Sequence, residues 1–471
     1  MTDPAVDPRV AWLHDAVRGV VADRDWICTA DVAQGAAAMA RGLRALGARR
    51  CFLLAGRMGT GPFEPAPEDE AVVLEVDAVG MMEGMYATEA AFAALSDEVR
   101  AQLDAFDPAG VARVVGPLFA QAPTVAGRRL LGARPRAWRD LEDKTVIDAL
   151  WDRLGVPRAP ARVVRATLAA LGAAHSDLDA GDGTVWAADN AGGWYGGGAR
   201  VRWARPGDPL EPLAARFATW ARQVRVMPFL EGIPCSIHGI ALRDGVVALR
   251  PMEMLVLRDP AGRFRYARTA CGWRPPAAQA DAMRAMARRV GAHLRDTLSY
   301  RGVFTIDGVM TAEGFRPTEL NPRFGAALST ALGGVPGLDP YLMHCVIADG
   351  AAESWSAARL EATLRPLVEA RRAAAPMALV DVPISDDRSV ALVREGAGWR
   401  VAREGETPDA TAHVGPSSSG GIVLARIAAG QVPDGPSAAP LSAGLLAWLA
   451  DHWGVPLDPL SPARDRLPSG S

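Results

Sequence analysis

Apolar and polar positions in the first 140 residues alternate between helical and strand-like patterns. Residues 30–50 place Ala, Met and Leu three and four positions apart, so we expect the first forty-odd residues to be largely helical. Cys51–Ala55 predicts a short buried strand, and a Gly/Pro-rich loop over residues 56–67 separates it from a second predicted strand, Ala71–Val79. A third region opens at Val111–Leu118. Strands that alternate with helices predict an open α/β sheet for residues 1–140.

The pattern changes beyond residue 140. Lys144–Leu154 has the spacing of an amphipathic helix, and it is followed by a helix stop at Gly155 and Pro157. Val224–Leu257 alternates as antiparallel strands do, whereas Ala277–Leu298 predicts a long helix.

After about residue 375, strand-like runs such as MALVDVPI begin a further unit, and the tail from Ser461 to Ser471 is expected to be disordered. We therefore expect four domains: 1–140, 141–225, 226–375 and 376–471. The last is a small α+β appendage.

One predicted hairpin, residues 302–325, places charged side chains close together. Its loop is predicted to be Ala312-Glu313-Gly314, with glycine at the position that needs a positive φ. Centred on Glu313, the hairpin sets Asp307 opposite Glu319, and Asn321 shares their face because strand side chains repeat every second residue. Opposed carboxylates repel each other, and a cation between them reverses that effect. Two carboxylates and an amide oxygen suit Mg²⁺. The alternative is that Asp307 is a surface residue and Glu319 pairs with an arginine.

Composition restricts the class of protein. The chain has 51 basic and 54 acidic residues, a net charge of −3 and 49% hydrophobic residues. This balance, without any basic block, excludes a polycation that binds nucleic acid through its charge. We find neither an apolar run long enough to span a membrane nor a signal peptide, so the expected location is the cytoplasm. The five cysteines are scattered, which predicts neither a disulfide framework nor a zinc site.

The segment FTIDGVM…TELNPRFG resembles the closing hairpin of ATP-grasp enzymes. This resemblance implies that Asp307, Glu319 and Asn321 bind magnesium ions on ATP. It also implies that Arg323 contacts the acyl phosphate or the substrate carboxylate. The implied fold has two α+β lobes that clasp ATP. The N-terminal α/β domain precedes these lobes, and the C-terminal unit follows them.

The segment LEDKTVIDALWDRLGVPRAP is similar to the entry motif of the same enzymes, in which a lysine contacts phosphate. That residue is Lys144, the single lysine beside fifty arginines. A flexible ammonium point charge fits positions that a planar guanidinium does not. The alternative is that an arginine-rich bias has left one lysine there by accident.

A glycine cluster follows in TVWAADNAGGWYGGGARVRW. By itself it indicates a flexible loop, but its place between two predicted strands is similar to the lid loop of ATP-grasp enzymes. The resemblance implies phosphate contacts from its backbone N–H groups. The strand before the loop reads Trp186-Ala187-Ala188, without the lysine usual in the family, and Arg200 or Arg202 is the candidate replacement. The loop residues concerned are Gly192, Gly193, Gly196, Gly197 and Gly198.

The segment VRVMPFLEGIPCSIHGI resembles the linker that meets adenine. The implied contacts are Met227, Phe229, Leu230 and Glu231. Core packing is the alternative for Met227 and Phe229.

Three features are similar to pheganomycin-type peptide ligases: Arg250–Glu253, the segment GARPRAWRDLEDK and the C-terminal unit. The implied substrate contacts are Arg250 and Glu253, with a structural ion pair as the alternative for Glu253.

The resemblance implies an ADP-forming ligase that uses ATP and Mg²⁺ to join a carboxylate, through an acyl phosphate, to the amine of an amino acid or a peptide. The expected product is an amide or peptide bond made in secondary metabolism. The alternatives are phosphorylation, carboxylation and a nucleotide-binding module without catalysis. No nucleic-acid or membrane partner is expected. The oligomeric state stays open, with a homodimer as one alternative.

Overall fold

Four main sheets organise the chain. The structure is a computed structural model and describes residues 6–59, 63–78, 80–117, 120, 122–417 and 420–465. Within these ranges, no helix is both long enough and apolar enough to cross a membrane.

The N-terminal sheet is parallel, in the order β3-β2-β1-β4. Its region and the segment after it contain α1 (Ala11–Val21), β1 (Asp25–Val32), α2 (Ala33–Ala45), β2 (Arg50–Arg57), β3 (Glu70–Val73), α3 (Met81–Ala93), α4 (Asp97–Phe106), β4 (Arg113–Val115), β5 (Thr124–Val125), β6 (Arg128–Arg129), α5 (Arg136–Arg139), a 3₁₀ turn at Asp140–Glu142 and α6 (Ile147–Arg153). The predicted α/β sheet is therefore present, and its strands are parallel.

The expectation of a continuous helical start is wrong at β1. This strand is buried along its first six residues, with Trp26 and Cys28 in one core cluster and Ile27 in another. A strand covered on both faces has no alternating pattern, so periodicity does not reveal it. The strand predicted at Ala71–Val79 ends at Val73, and Val79 lies outside the described residues, as do Leu118 of the third predicted region and residues 60–62 of the Gly/Pro loop.

The lid sheet is antiparallel, in the order β7-β10-β8-β9. Its elements are β7 (Arg162–Arg165), α7 (Leu168–Leu178), β8 (Thr184–Ala188), β9 (Val201–Ala204), α8 (Leu210–Trp220) and β10 (Gln223–Pro228). Val224 and Val226 of β10 pack in the same core cluster as Phe217 of α8. The alternate residues Arg225 and Met227 therefore point to the opposite face of the sheet.

The central sheet has the order β14-β13-β11-β15-β16, and β12 pairs with β11. Its elements and the helices after it are β11 (Ile233–Ala241), β12 (Val246–Ala248), β13 (Met252–Arg258), β14 (Phe264–Ala270), α9 (Ala277–Leu298), β15 (Gly302–Thr311), β16 (Gly314–Asn321), α10 (Ala326–Leu332), α11 (Pro340–Ala348) and α12 (Ala357–Ala370). Helix α9 has the predicted bounds. Phe304 and Ile306 pack in one core cluster with Met283 of α9, so the odd-numbered residues of β15 face the other way.

The C-terminal sheet has the order β17-β21-β20-β18-β19. Its elements are β17 (Met377–Val380), β18 (Arg388–Glu395), β19 (Gly398–Val401), β20 (Ala410–Ser417), β21 (Gly420–Ile427) and α13 (Ala439–Trp453). Ser461 of the tail exchanges two backbone hydrogen bonds with Arg258, of 2.8 and 2.9 Å. The tail predicted to be disordered is therefore held at its start, and residues 466–471 lie outside the described residues.

Candidate functional site

The hairpin β15–β16 places Asp307 directly opposite Glu319, as predicted, and Thr305 opposite Asn321. The predicted three-residue loop is wrong, because Thr311 pairs with Gly314 and leaves a two-residue loop. A register shift between Asp307 and Gly308 then restores the predicted pairing. The two differences cancel at the site, because a bulge adds one residue to one strand.

The two opposed carboxylates lie on the wall of a cavity of about 490 Å³. Burial, followed by the nearby charge of Glu319, raises the pKa of Asp307 to about 7. Lys144 Nζ lies 2.9 Å from Glu319 Oε1, and Asn321 Nδ2 donates to Asp307 Oδ2 at 2.8 Å. The pair therefore needs positive charge beside it.

These residues fit a magnesium ion that also keeps water and phosphate ligands. Among the described residues, no group of three or more His, Cys, Asp or Glu side chains is placed to hold a metal ion. Asn321 Oδ1 accepts from Arg323 at 3.0 Å, and only the amide nitrogen faces Asp307. Coordination through the amide oxygen requires the amide to turn over.

Lys144 precedes its predicted helix, which begins at Ile147. Asp143 fixes this turn, because its carboxylate accepts from Thr145 N at 2.8 Å and from Asn190 N at 3.0 Å. Asn190 opens the glycine-rich loop, so one aspartate ties the turn that carries Lys144 to that loop.

Arg323 and Arg134 share one buried carboxylate. Glu142 Oε2 accepts from Arg323 Nε at 3.3 Å, and Glu142 Oε1 accepts from Arg134 Nη1. Burial acts to raise the pKa of Glu142, but the two guanidinium groups outweigh it and hold that pKa below its usual range. The Glu142 carboxylate thus stays charged and fixes both arginines.

The glycine-rich loop divides between two cavities. Gly196, Gly197 and Gly198 border the cavity of the hairpin, whereas Gly193 borders a second, larger one. A side chain at Gly192 would meet the Arg200 guanidinium at 3.2 Å.

Arg200 does not border the hairpin cavity, which was its predicted place. It donates to the Trp220 carbonyl at 2.6 Å and lies over the Tyr195 ring. Arg202 instead donates to the Ala199 and Val201 carbonyls and lies 4.9 Å from the Trp220 ring centroid. Both arginines therefore brace the lid.

The end of β10 brings Met227 to the hairpin cavity, and the linker after it brings Phe229 and Leu230. Phe229 stacks on Trp203, with ring centroids 4.0 Å apart. Glu231 does not border the cavity, because it pairs with Arg258 through two hydrogen bonds of 2.9 and 2.7 Å.

Solved structures match this arrangement over most of their length. An N5-carboxyaminoimidazole ribonucleotide synthetase in complex with ADP has a TM-score of 0.51 and 13% identity, covering 92% of this chain and 98% of that one. The biotin carboxylase domain of a 2-oxoglutarate carboxylase from Hydrogenobacter thermophilus, with MgADP and bicarbonate, has a TM-score of 0.54, 12% identity and coverages of 86% and 85%. A carboxyaminoimidazole ribonucleotide synthase from Aspergillus clavatus, complexed with ATP, has a TM-score of 0.50, 11% identity and coverages of 91% and 98%.

The chain has the ATP-grasp fold. At these identities the likeness shows the fold alone. No protein-family model matches the sequence, and no curated protein matches it significantly.

Two predicted substrate residues lie away from the cavities of this ATP-grasp fold. Arg250 is 4% exposed, and its guanidinium donates to the backbone carbonyls of Val368, Cys271 and Arg371. It joins the central sheet to the segment after α12. A substrate contact from this position does not fit the geometry.

Glu253 is 1% exposed and accepts from Ser437 Oγ and from Ala438 N. It therefore holds the start of α13 against the central sheet. Among the described residues it forms no ion pair, which was the alternative prediction, and it is not among the residues that border the cavities.

The sequence-based prediction did not include three cations that border the cavity, Arg225, Arg258 and Arg268. Of these, Arg225 lies on the strand before the linker. It is 2% exposed, borders the cavity and lies directly opposite Ala187. Asp148 of α6 holds its Nε and Nη2 at 2.7 Å each, and Nη1 donates to Met227 Sδ, a weak acceptor, at 2.9 Å. The sequence could have indicated this position, because Arg225 lies two residues before Met227 in one strand. The two side chains therefore share a face of that strand.

The larger cavity has a volume of about 780 Å³ and lies between α3, residues 117–146 and the glycine-rich loop. Met82 and Trp194 border both cavities. Tyr86 of α3 donates to the Trp194 carbonyl at 2.5 Å, which ties the lid loop to the N-terminal region.

Proposed function

We propose that this protein is an ATP-dependent, ADP-forming ligase that joins a carboxylate to an amine through an acyl phosphate. The observation that carries the proposal is the opposed pair Asp307 and Glu319, with Lys144 and Arg323 beside it in a cavity of the ATP-grasp fold. Opposed, half-buried carboxylates flanked by cations suit a site for a metal ion and phosphates.

Asp307, Glu319 and, after its amide turns, Asn321 would hold Mg²⁺. Bound there, the ion supplies neutralising charge for the phosphate oxygens. Lys144, which pairs with Glu319 in this structure, provides a mobile ammonium for the same phosphates. Arg323 is fixed by Glu142 and presents a guanidinium where a carboxylate or an acyl phosphate binds.

The lid supplies the remaining requirements of phosphoryl transfer, which depends on positioning and charge more than on covalent help. Backbone N–H groups of Gly196, Gly197 and Gly198 border the cavity and suit phosphate oxygens. Closure of this loop excludes water, which competes with the amine for the acyl phosphate. Met227, Phe229 and Leu230 form an apolar wall for the base.

The test is an ADP-release screen over carboxylic acids, including bicarbonate, each with and without amino-acid or peptide amines. We expect carboxylate-dependent ADP formation and an amide product detected by mass. Loss of ADP formation in Glu319→Gln, with activity kept in Glu313→Gln on the loop of the same hairpin, supports the site. Carboxylation of an amine indicates the carboxylase alternative. ATP binding without carboxylate-dependent ADP formation contradicts the ligase.

A further inference from the structure

The larger cavity lies beside the cavity that holds the proposed metal hairpin and is lined mostly by other residues. Its volume of about 780 Å³ lies within the range of small-molecule sites and exceeds what a single amino acid fills. It meets the nucleotide cavity at Met82 and Trp194, so a ligand bound in it would lie next to the phosphates.

Arg134 marks the end of this cavity that is nearest the hairpin. Its side chain is 8% exposed, and Nη1 donates to Glu142, whose other oxygen accepts from Arg323. One carboxylate thus separates the two guanidinium groups. A group held by Arg134 would lie close to Arg323 and to the metal hairpin.

One hydrogen-bond donor of the Arg134 guanidinium has no acceptor in the protein among the described residues. This donor is the buried Nε. The Nε and Nη2 edge of a guanidinium is one of the two edges that bind a carboxylate through parallel hydrogen bonds. The Nε is shielded from the cavity in this structure, so a carboxylate reaches this edge only after the Arg134 side chain shifts. A buried cation that borders a cavity and keeps an unpaired donor supports an anionic ligand there.

The cavity wall beyond Arg134 is mostly apolar. Met85 and Phe92 of α3 face this space together with Val125 and Leu130 of the β5–β6 hairpin. A polyhydroxylated or phosphorylated body would lose its hydration there without replacement hydrogen bonds, whereas a hydrocarbon or aromatic body would not.

The acidic residues around the cavity are satisfied by the protein. Asp31 accepts from Thr88 Oγ1 at 2.6 Å and pairs with Arg57 at 3.3 Å. The other acids with partners in the protein are Glu89, Asp140, Asp143 and Asp189. These carboxylates have partners of their own, and within the described ranges none of them pairs with Arg134.

We propose that this cavity binds the acid substrate, and that this substrate is a carboxylic acid with an apolar aliphatic or aromatic body. Its carboxylate lies on Arg134, next to Arg323, and its body lies along Met85, Phe92, Val125 and Leu130. This inference rests on the proposed ligase function and names the substrate class for the same site.

The test is calorimetric titration of the full chain, without nucleotide, using acetate, hexanoate and 3-phenylpropanoate. The alcohols 1-hexanol and 3-phenylpropanol serve as uncharged counterparts. We expect affinity to rise from acetate to the larger acids and the alcohols to bind at least about tenfold more weakly than the acids.

Arg134→Met should weaken acid binding by about 10–100-fold. Arg129→Met, which removes an exposed arginine that pairs with Asp349 away from the cavity, should bind acids as the wild type does.

A second variant keeps the test valid if Arg134→Met fails to fold. Met85→Gln should reduce the gain in affinity from acetate to hexanoate and 3-phenylpropanoate, while the affinity for acetate stays unchanged. Equal affinity for acids and alcohols, or no binding of any apolar acid, overturns the proposal.

A parallel titration with MgATP separates this result from the ligase function. MgATP binding together with ADP formation that depends only on hydrophilic acids overturns the substrate class and leaves the ligase in place. Failure of the wild type to bind MgATP overturns the ligase, whereas the acid titration still decides what the cavity binds.

Discussion

The position and contacts of a single residue in this protein were predictable only where its neighbours along the strand determine them. Asp307 and Glu319 were found from spacing alone, because strand alternation and hairpin pairing fix which side chains face each other. Arg200, Glu231 and Arg250 were not placed correctly, because each is taken up by a tertiary partner far along the chain. A single sequence contains no information on which arginine finds which acceptor.

At Arg225 we expect a specific loss of nucleotide affinity. Arg225→Met removes a buried cation from the cavity and should weaken MgATP binding by about 10–100-fold, since hydrogen bonds to charged groups contribute about 1.5–3 kcal/mol. Calorimetric titration with MgATP measures it. Asp148→Asn keeps the cation but loosens its clamp, so its effect should be smaller. An unchanged affinity in a folded Arg225→Met variant would contradict the role.

At Glu253 we expect a pH-dependent effect on stability. Burial raises the pKa of this carboxyl to about 7, so the folded chain binds a proton between about pH 4.5 and 7 that the unfolded chain releases. Stability therefore falls as pH rises through that range, by up to about 3 kcal/mol.

The variant Glu253→Gln isolates this contribution because it stays neutral. The free energy of unfolding of both proteins can be measured with denaturant at pH 5 and pH 8. Relative to the wild type, that of the variant should be higher at pH 8 than at pH 5 by up to about 3 kcal/mol. A constant difference between the two proteins at both pH values would show that Glu253 does not titrate in this range.

Secondary-structure elements were predictable where one face is solvated or where a breaker residue marks an end. Helix α9 fits its predicted bounds, since it starts after Pro276 and ends at Ser299 in a left-handed conformation. Strand β1 was not predictable, because burial on both faces removes the period. The hairpin loop was also wrong, because a compensating bulge leaves no clear signal in one sequence.

The turn into β11 requires glycine at position 232. Its φ of +155° and an added Cβ only 2.1 Å from the Met310 carbonyl oxygen rule out a side chain without movement of the hairpin. Gly232→Ala should destabilise the fold by at least about 1–3 kcal/mol and weaken nucleotide binding.

The matched control is Gly172→Ala in α7, where an added Cβ meets nothing within 4 Å. That change should be neutral or stabilise by up to about 1 kcal/mol, because alanine favours helix. Chemical denaturation of both variants checks the pair. Equal stability changes would contradict the strain assigned to Gly232.

Three regions of the molecule surround the two cavities. The N-terminal region, the lid and the central sheet each contribute to the two cavities. The order of motifs indicated this arrangement, whereas the larger cavity could not be predicted because its walls come from segments distant in sequence.

The tether from Tyr86 to the lid loop links these regions. Tyr86→Phe removes the hydrogen bond to the Trp194 carbonyl, worth about 1 kcal/mol, so amide exchange in residues 190–198 should rise about fivefold. Hydrogen–deuterium exchange measures this, with α8 of the same lid as the internal control. Unchanged exchange in the loop would show that Tyr86 does not hold it.

The proposed ligase function depends on whether Asp307 and Glu319 bind a divalent ion together with ATP. The most direct measurement is calorimetric titration of ATP into wild type and Asp307→Asn, with Mg²⁺ and with a chelator. We predict one Mg²⁺-dependent site in the wild type. In the variant its affinity should fall by at least the roughly 10–100-fold that is lost when a residue hydrogen-bonded to a metal ligand is removed. Equal ATP affinity in both proteins, whether or not Mg²⁺ is present, would contradict the metal site.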